Sequence, residues 1–275
     1  MTSPDDAPKL VAPHLYSQAY ADLENLQMQL PEEAVVSLAQ EVIRRLAKKI
    51  QKAHAPQHAV SALSQALISS DAKTAAALLE QHYLSGVGVR DLYLQYISPA
   101  AAQLGRWWEK DEVSFADVTI GIGRVYAIMR NLSGRLPQDV IPKGKTALFA
   151  SVPGDDHILG LKIAAELARE EGWHIDLQLD TDHDALVSHI ASAGHHLIGL
   201  SGGGEHALSA LARLVFALRV SEPNALILVS GNIVNEAADR ISLMHVDAIS
   251  ADFEEAMLQL NRLWTQIATQ EAQVN

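Results

Sequence analysis

Apolar residues recur along this chain with two different rhythms, and the change of rhythm divides it. Val35, Leu38, Val42 and Leu46 stand three or four residues apart behind Pro31, Glu32 and Glu33. Proline and acids suit a first turn, so a helix is expected there. The same spacing predicts helices over residues 59–68, 75–83 (with Ser70 or Asp71 as N-cap) and 89–104. Ser114 and Asp117 form a capping-box pair that opens a further helix to about residue 132. Gly86 and Gly88 break one segment, and Gly105 is expected to stop another. No strand pattern interrupts these segments. Residues 31–136 therefore predict a bundle of four or five helices behind a weakly patterned extension, 1–30.

The rhythm changes after residues 137–145, which hold two prolines, a glycine and no apolar period. Beyond this boundary, short apolar-rich runs at 146–151, 174–179, 196–201, 226–230 and 246–250 predict strands. Helical segments at 158–169, 184–193, about 206–219 and 253–267 separate them. Continuous apolar strands alternating with helices mean a parallel sheet covered on both faces. The fold class expected for 144–270 is α/β, a doubly wound, flavodoxin-like sheet of five strands. Such sheets bind ligands at the carboxyl ends of their strands.

Composition narrows the chemistry. The chain has no cysteine, which excludes disulfides, thiolate metal sites, iron–sulfur clusters and cysteine nucleophiles. Its 12 histidines are then the main borderline metal ligands. A net charge of −12 argues against a broad electrostatic footprint for nucleic acid or an anionic membrane. Arg44, Arg45, Lys48 and Lys49 make one small basic patch. Residues 1–10 lack the basic and apolar regions of a signal peptide, and no run is long enough for a membrane helix, so a cytoplasmic protein is expected.

The candidate chemistry sits where the first strand ends, in Gly154-Asp155-Asp156-His157-Ile158-Leu159-Gly160. A histidine at a strand end points into the crevice. An acid two residues earlier can hold the other ring nitrogen, fixing the tautomer and raising basicity toward a metal. Gly160, just inside the helix, lets a bulky planar group approach the backbone. Alone, these residues equally describe a capping aspartate beside a surface histidine; their neighbours favour the ligand loop. Ser201-Gly202-Gly203-Gly204 follows the third strand and Ser230-Gly231-Asn232 the fourth. These small residues leave a slot for a flat base, with Ser201 offering a hydrogen bond. The glycine run lacks a P-loop lysine, and the third strand ends without a receiver domain's aspartate. Asp180 to Asp184 is expected to be an acidic N-cap, His195 and His196 structural, and Glu205 and His206 neighbours of the slot.

Asp155-x-His157-x-x-Gly160 with Ser201 and Ser230-Gly231 resembles the cobalamin-binding domain shared by methionine synthase, the acyl-CoA mutases and the light sensor CarH. The resemblance implies a base-off cobalamin with His157 as the lower ligand of cobalt and Asp155 as its partner. It also implies a pocket for the displaced tail lined by Ser201, Gly202, Gly203, Ser230 and Gly231. Ser230 stands where the family often has a first glycine. Leu104 to Glu109 and Val113 to Asp117 resemble helices that cover the upper corrin face, which implicates Trp108 and Phe115. Trp107 and Trp108 point about 100° apart on a helix, so at most one of them faces the ring, and the resemblance favours Trp108. CarH-type sensors carry a Glu-His pair where this chain has Val118 and Thr119, so the same upper histidine ligand is not expected. Asp117 and histidines outside the sheet remain as candidates.

The runs 107–129, 148–157 and 182–186 resemble the PpaA/AerR antirepressors of photosynthesis genes in purple bacteria, a likeness covering roughly 33–270. That branch implies a light- or redox-responsive regulator rather than an enzyme. It would carry hydroxo- or adenosylcobalamin, bind a PpsR/CrtJ-type repressor, and act on DNA through that partner. Two alternatives share the fold: a corrinoid carrier of a methyltransferase system, and a haem-binding redox sensor in which His157 holds iron.

Overall fold

The computed structural model describes residues 55–135 and 144–274. The expected extension 1–30, the helix behind Pro31 and the boundary residues 136–143 lie outside the described residues. Pro56–Asn275 form one compact unit. Its first part is helical: α1 (Gln57–Ile68), α2 (Thr74–Leu84), α3 (Val89–Asp91), a π-helical stretch Leu92–Ile97, α4 (Ser98–Glu109) and α5 (Phe115–Ser133). Leu63, Leu67, Leu92, Tyr93, Ile97 and Leu104 are buried in it.

Helix α5 starts as its sequence dictates. Ser114 Oγ accepts from the Asp117 amide at 3.1 Å, and Asp117 Oδ2 accepts from the Ser114 amide at 3.0 Å. Gly105 does not stop its helix, because α4 runs on to Glu109. A glycine inside a helix costs only about 1 kcal/mol, and the half-buried Trp107 beyond it continues the packing. The helix ends before Asp111, whose φ is +58°. The π-helical turn was not foreseen; it sets Leu92, Tyr93, Tyr96 and Ile97 facing the interior.

The sheet contains β1 (Lys145–Ser151), β2 (Trp173–Gln178), β3 (Leu197–Ser201), β4 (Leu226–Ser230) and β5 (Ala248–Ser250) in the order β2-β1-β3-β4-β5. Every neighbouring pair is parallel. The connecting helices are α6 (Leu159–Glu170), α7 (His183–Ala193), α8 (Leu208–Ser221), α9 (Asn232–Ser242) and α10 (Phe253–Val274), with a 3₁₀ turn at Glu205–Ala207 before α8. Helix α9 was not foreseen. Its buried Ile233, Val234, Ala237 and Ile241 are separated by polar residues, and the helix kinks at Ala237, where φ is −143°.

Strand alternation sends successive residues to opposite faces. Leu148, Ala150, Ile198, Leu200, Ile227 and Val229 pack with α7, α8 and α9. Ala147, Phe149, Leu197 and Leu228 pack with α6 and α10. Chain order reverses between β1 and β3, so the crevice expected of a doubly wound sheet opens past their carboxyl ends. The bundle rests on α6 through polar contacts. Tyr93 Oη donates to Glu166 Oε2 at 2.7 Å, Arg90 Nη1 lies 3.0 Å from Glu171 Oε1, and Lys162 Nζ sits 4.3 Å from the Tyr126 ring centroid. Burial, and then the facing Glu166, push the Tyr93 hydroxyl up, so it remains a donor. Among the described residues no helix is long and apolar enough to cross a membrane.

Gly199 lies in the middle of β3, where an added Cβ would come 2.9 Å from the Phe149 ring. Gly199→Ala is expected to destabilise the protein by about 1–3 kcal/mol through overpacking. Phe149→Leu in the same chain should recover part of that loss, because the two positions are coupled. Urea denaturation of the two single variants and the double variant measures this, and strict additivity would contradict the contact.

Candidate functional site

The loop after β1 is built by its own sequence. Val152-Pro153-Gly154-Asp155 closes a turn, with the Asp155 amide donating to the Val152 carbonyl at 3.0 Å and Gly154 at φ +81°. Proline followed by a left-handed glycine is the pairing a type II turn requires. The turn delivers the Asp155 side chain inward, where it is 2% exposed. A buried carboxylate needs partners, and Asp155 has three. Oδ1 accepts from the His157 amide at 3.0 Å and from His157 Nδ1 at 2.8 Å. Oδ2 accepts from the Gly203 amide of the loop after β3. Burial opposes its charge, but the Gly203 and His157 amides and the His157 ring hold the carboxyl below the usual aspartate range.

His157 is oriented by this carboxylate and is otherwise open, its side chain 66% exposed. With Nδ1 donating to Asp155, the Nε2 lone pair faces outward. Gly203 is pressed against the ring, and a Cβ there would run into the imidazole. A Cβ at Gly160 would meet nothing within 4 Å, so that side of the loop is open.

The second group of expected residues also meets. The Gly202 amide donates to the Ser230 carbonyl at 3.2 Å. Gly231, at φ +97°, turns so tightly that a Cβ would overlap the Gly202 carbonyl and lie 2.9 Å from Ser201 Oγ. Ser201 and Ser230 are register partners and half-buried. Trp108 and Phe115 meet each other on the bundle, 6.1 Å between ring centroids, with 49% and 68% exposure.

Other residues separate clearly. Asp182 caps α7 through the Ala185 amide at 3.0 Å. Asp117 is engaged in its capping box, and Thr119 Oγ1 donates to the Phe115 carbonyl at 2.8 Å. His195 pairs with Asp176 at 3.3 Å. Glu236, which sequence reasoning missed, anchors the glycine loop: its Oε2 accepts from the Glu205 amide at 2.6 Å. Glu236 lies on α9, the unforeseen helix, so no local pattern pointed to it. His206 stands beside the motif, its ring 5.5 Å from that of His157.

Residues 145–261 match the B12 binding domain, and residues 59–132 match a second B12 binding domain family that lies on the bundle. Both described parts of the chain therefore carry a B12 binding domain. The chain is 25% identical over 178 residues to a 20.5 kDa protein of the bchF–crtJ intergenic region of Rhodobacter capsulatus, covering 64% of this chain and 93% of that one. This relative accords with a PpaA/AerR-type B12-binding protein. The monomethylamine corrinoid protein of Methanosarcina barkeri shares the fold, with a TM-score of 0.63, 17% identity, and coverage of 75% of this chain and 99% of that one.

The residues of this site suit a corrinoid. The motif imidazole has one nitrogen fixed by a buried carboxylate and the other free. Beside it Gly202, Gly203 and Gly231 present no side chains of their own next to Ser201 and Ser230.

Gly203→Ala is expected to displace the His157 ring and lower cobalamin affinity at least tenfold, as an absorbance titration would show; unchanged affinity would contradict the contact. Asp155 also gives a pH signature. Its folded pKa lies below the unfolded value of about 3.9, so the stabilisation is fully present above that pH and is lost as pH falls through the depressed folded value. Wild type should therefore exceed Asp155→Asn in urea stability down to pH values below the ordinary aspartate range. Convergence of the two proteins at pH 5 or above would contradict the assignment.

Proposed function

We propose that this chain is a cobalamin-dependent antirepressor that binds a PpsR/CrtJ-type repressor of photosynthesis genes and releases its hold on DNA in response to light or redox state. The observation that carries the cofactor reading is the Asp155–His157 pair at the switch point. The regulatory reading rests on the likeness to the protein encoded beside crtJ and on the runs 107–129, 148–157 and 182–186.

In this reading the cofactor is hydroxo- or adenosylcobalamin, held base-off. His157 Nε2 would ligate the cobalt, with Asp155 keeping the ring proton on Nδ1. Ser201, Gly202, Gly203, Ser230 and Gly231 line the tail pocket, and Gly160 leaves room at the corrin edge. Trp108 and Phe115 supply apolar cover from the bundle. When bound, the corrinoid would supply a cobalt–ligand bond that light or reduction can change. The protein's part is to orient the imidazole and cover the ring. In this reading the chain acts on DNA through the repressor.

The test is reconstitution of the full chain with hydroxocobalamin and with adenosylcobalamin, recorded in darkness and after illumination. Corrinoid bands that change on illumination are expected, and His157→Ala should lose most of the binding. In a DNA-binding assay, loaded protein should lower the affinity of the PpsR/CrtJ-type repressor for its operator, and the His157→Ala protein should not. A Soret band in the purified protein, or intact corrinoid affinity in the variant, would overturn the cofactor assignment. An unaffected repressor would overturn the regulatory one.

A further inference from the structure

Asp155, His157 and His206 each bring a ligand atom within 4.8 Å of the others. His206 Nε2 lies 3.7 Å from Asp155 Oδ1, and His157 Nδ1 lies 2.8 Å from the same oxygen. Tetrahedral zinc with bonds near 2.0–2.1 Å holds its ligand atoms about 3.3 Å apart, a value between these two separations. The glycine loop creates this convergence. Gly203 admits the His157 ring, and a Cβ at Gly204 would stand 3.2 Å from His206 Nδ1. Neither imidazole is there to fill a core, since the side chains are 66% and 58% exposed. Two imidazoles on one buried carboxylate, in a chain without thiols, form a borderline nitrogen–oxygen donor set suited to zinc and its neighbours.

We propose that the cofactor-free protein binds a divalent transition metal ion at Asp155, His157 and His206, and that this metal excludes the corrinoid. The exclusion works through one ring. A cation on His157 Nδ1 replaces the proton held against Asp155. A neutral imidazole bound through one nitrogen carries its proton on the other. The proton therefore moves to Nε2 through solvent, and the lone pair that would bind cobalt is gone. Zinc and corrinoid compete for two tautomers of the same histidine. His206 supplies the third protein ligand, leaving a fourth position for solvent, as in three-ligand zinc sites. The metal site makes no use of the slot between Ser201 and Gly231, and loading of the cradle becomes sensitive to free metal.

The competition rests on the cofactor reading above, but the metal site does not, so the decisive experiment omits the corrinoid. Zn²⁺ is titrated calorimetrically into the full chain purified without cofactor. His206→Ala is expected to weaken one site at least tenfold, while His206→Asp, which restores a ligand atom, regains most of the affinity. His189→Ala, at the separate histidine cluster on Asp176, should leave that site unchanged. In a second arm, Zn²⁺ should slow hydroxocobalamin uptake by wild type and lose this effect in His206→Ala. Equal zinc affinity in wild type and His206→Ala overturns the site. Zinc binding with undiminished corrinoid uptake overturns the competition. Failure of wild type to take up corrinoid without zinc counts against the cofactor reading instead, and leaves the calorimetric result standing.

Discussion

A single buried carboxylate organises this molecule's chemistry. Asp155 is enclosed where water cannot solvate it, so its charge depends on donors from the chain. Two come from His157 and one from the Gly203 amide across the crevice. Because those donors belong to loops on adjacent strands, satisfying the carboxylate ties the end of β1 to the end of β3. The orientation of the imidazole follows from the same accounting. A buried charge left without its partners costs several kcal/mol, so the ring position and the loop closure are one structural event.

The remaining architecture keeps those two loops in place. Apolar residues on both sheet faces fix strand order and register, and the glycines exclude side chains where ring and backbone must come close. Glu236, reaching from α9 to the Glu205 amide, braces the far side of the glycine loop. The bundle is tied to α6, the helix that follows the histidine loop, by the Tyr93–Glu166 and Arg90–Glu171 contacts. A movement of the bundle would therefore be felt at the helix that begins beside His157.

Much of this was legible in the sequence because its signals are local. Short runs rich in apolar residues marked all five strands, Ser114 and Asp117 marked the start of α5, and the motif with its two glycine loops marked residues that the fold brings together. What stayed hidden depends on partners distant in sequence. Helix α9 escaped because Ile233, Val234, Ala237 and Ile241 are diluted by Asn, Glu, Asp and Arg, and it kinks at Ala237. Gly105 misled because a glycine's small propensity cost does not by itself end a helix, and α4 runs on to Glu109. The π-helical turn has no composition mark. His206 was visible only as a neighbour of the slot; its place beside Asp155 follows from a 3₁₀ turn whose direction is set by Glu236 and the sheet.

One further feature joins fold and site. Ser151, Ser201, Ser230 and Ser250 are register partners across β1, β3, β4 and β5, a row of hydroxyls on the α6 and α10 face at the sheet's carboxyl edge. Side-chain direction alternates along a strand, so a slip of one position in any of them would turn its serine toward the opposite apolar layer. The cradle is thus also a gauge of assembly: a ligand that needs both Ser201 and Ser230 on one side recognises only chains whose strands have been laid down in step.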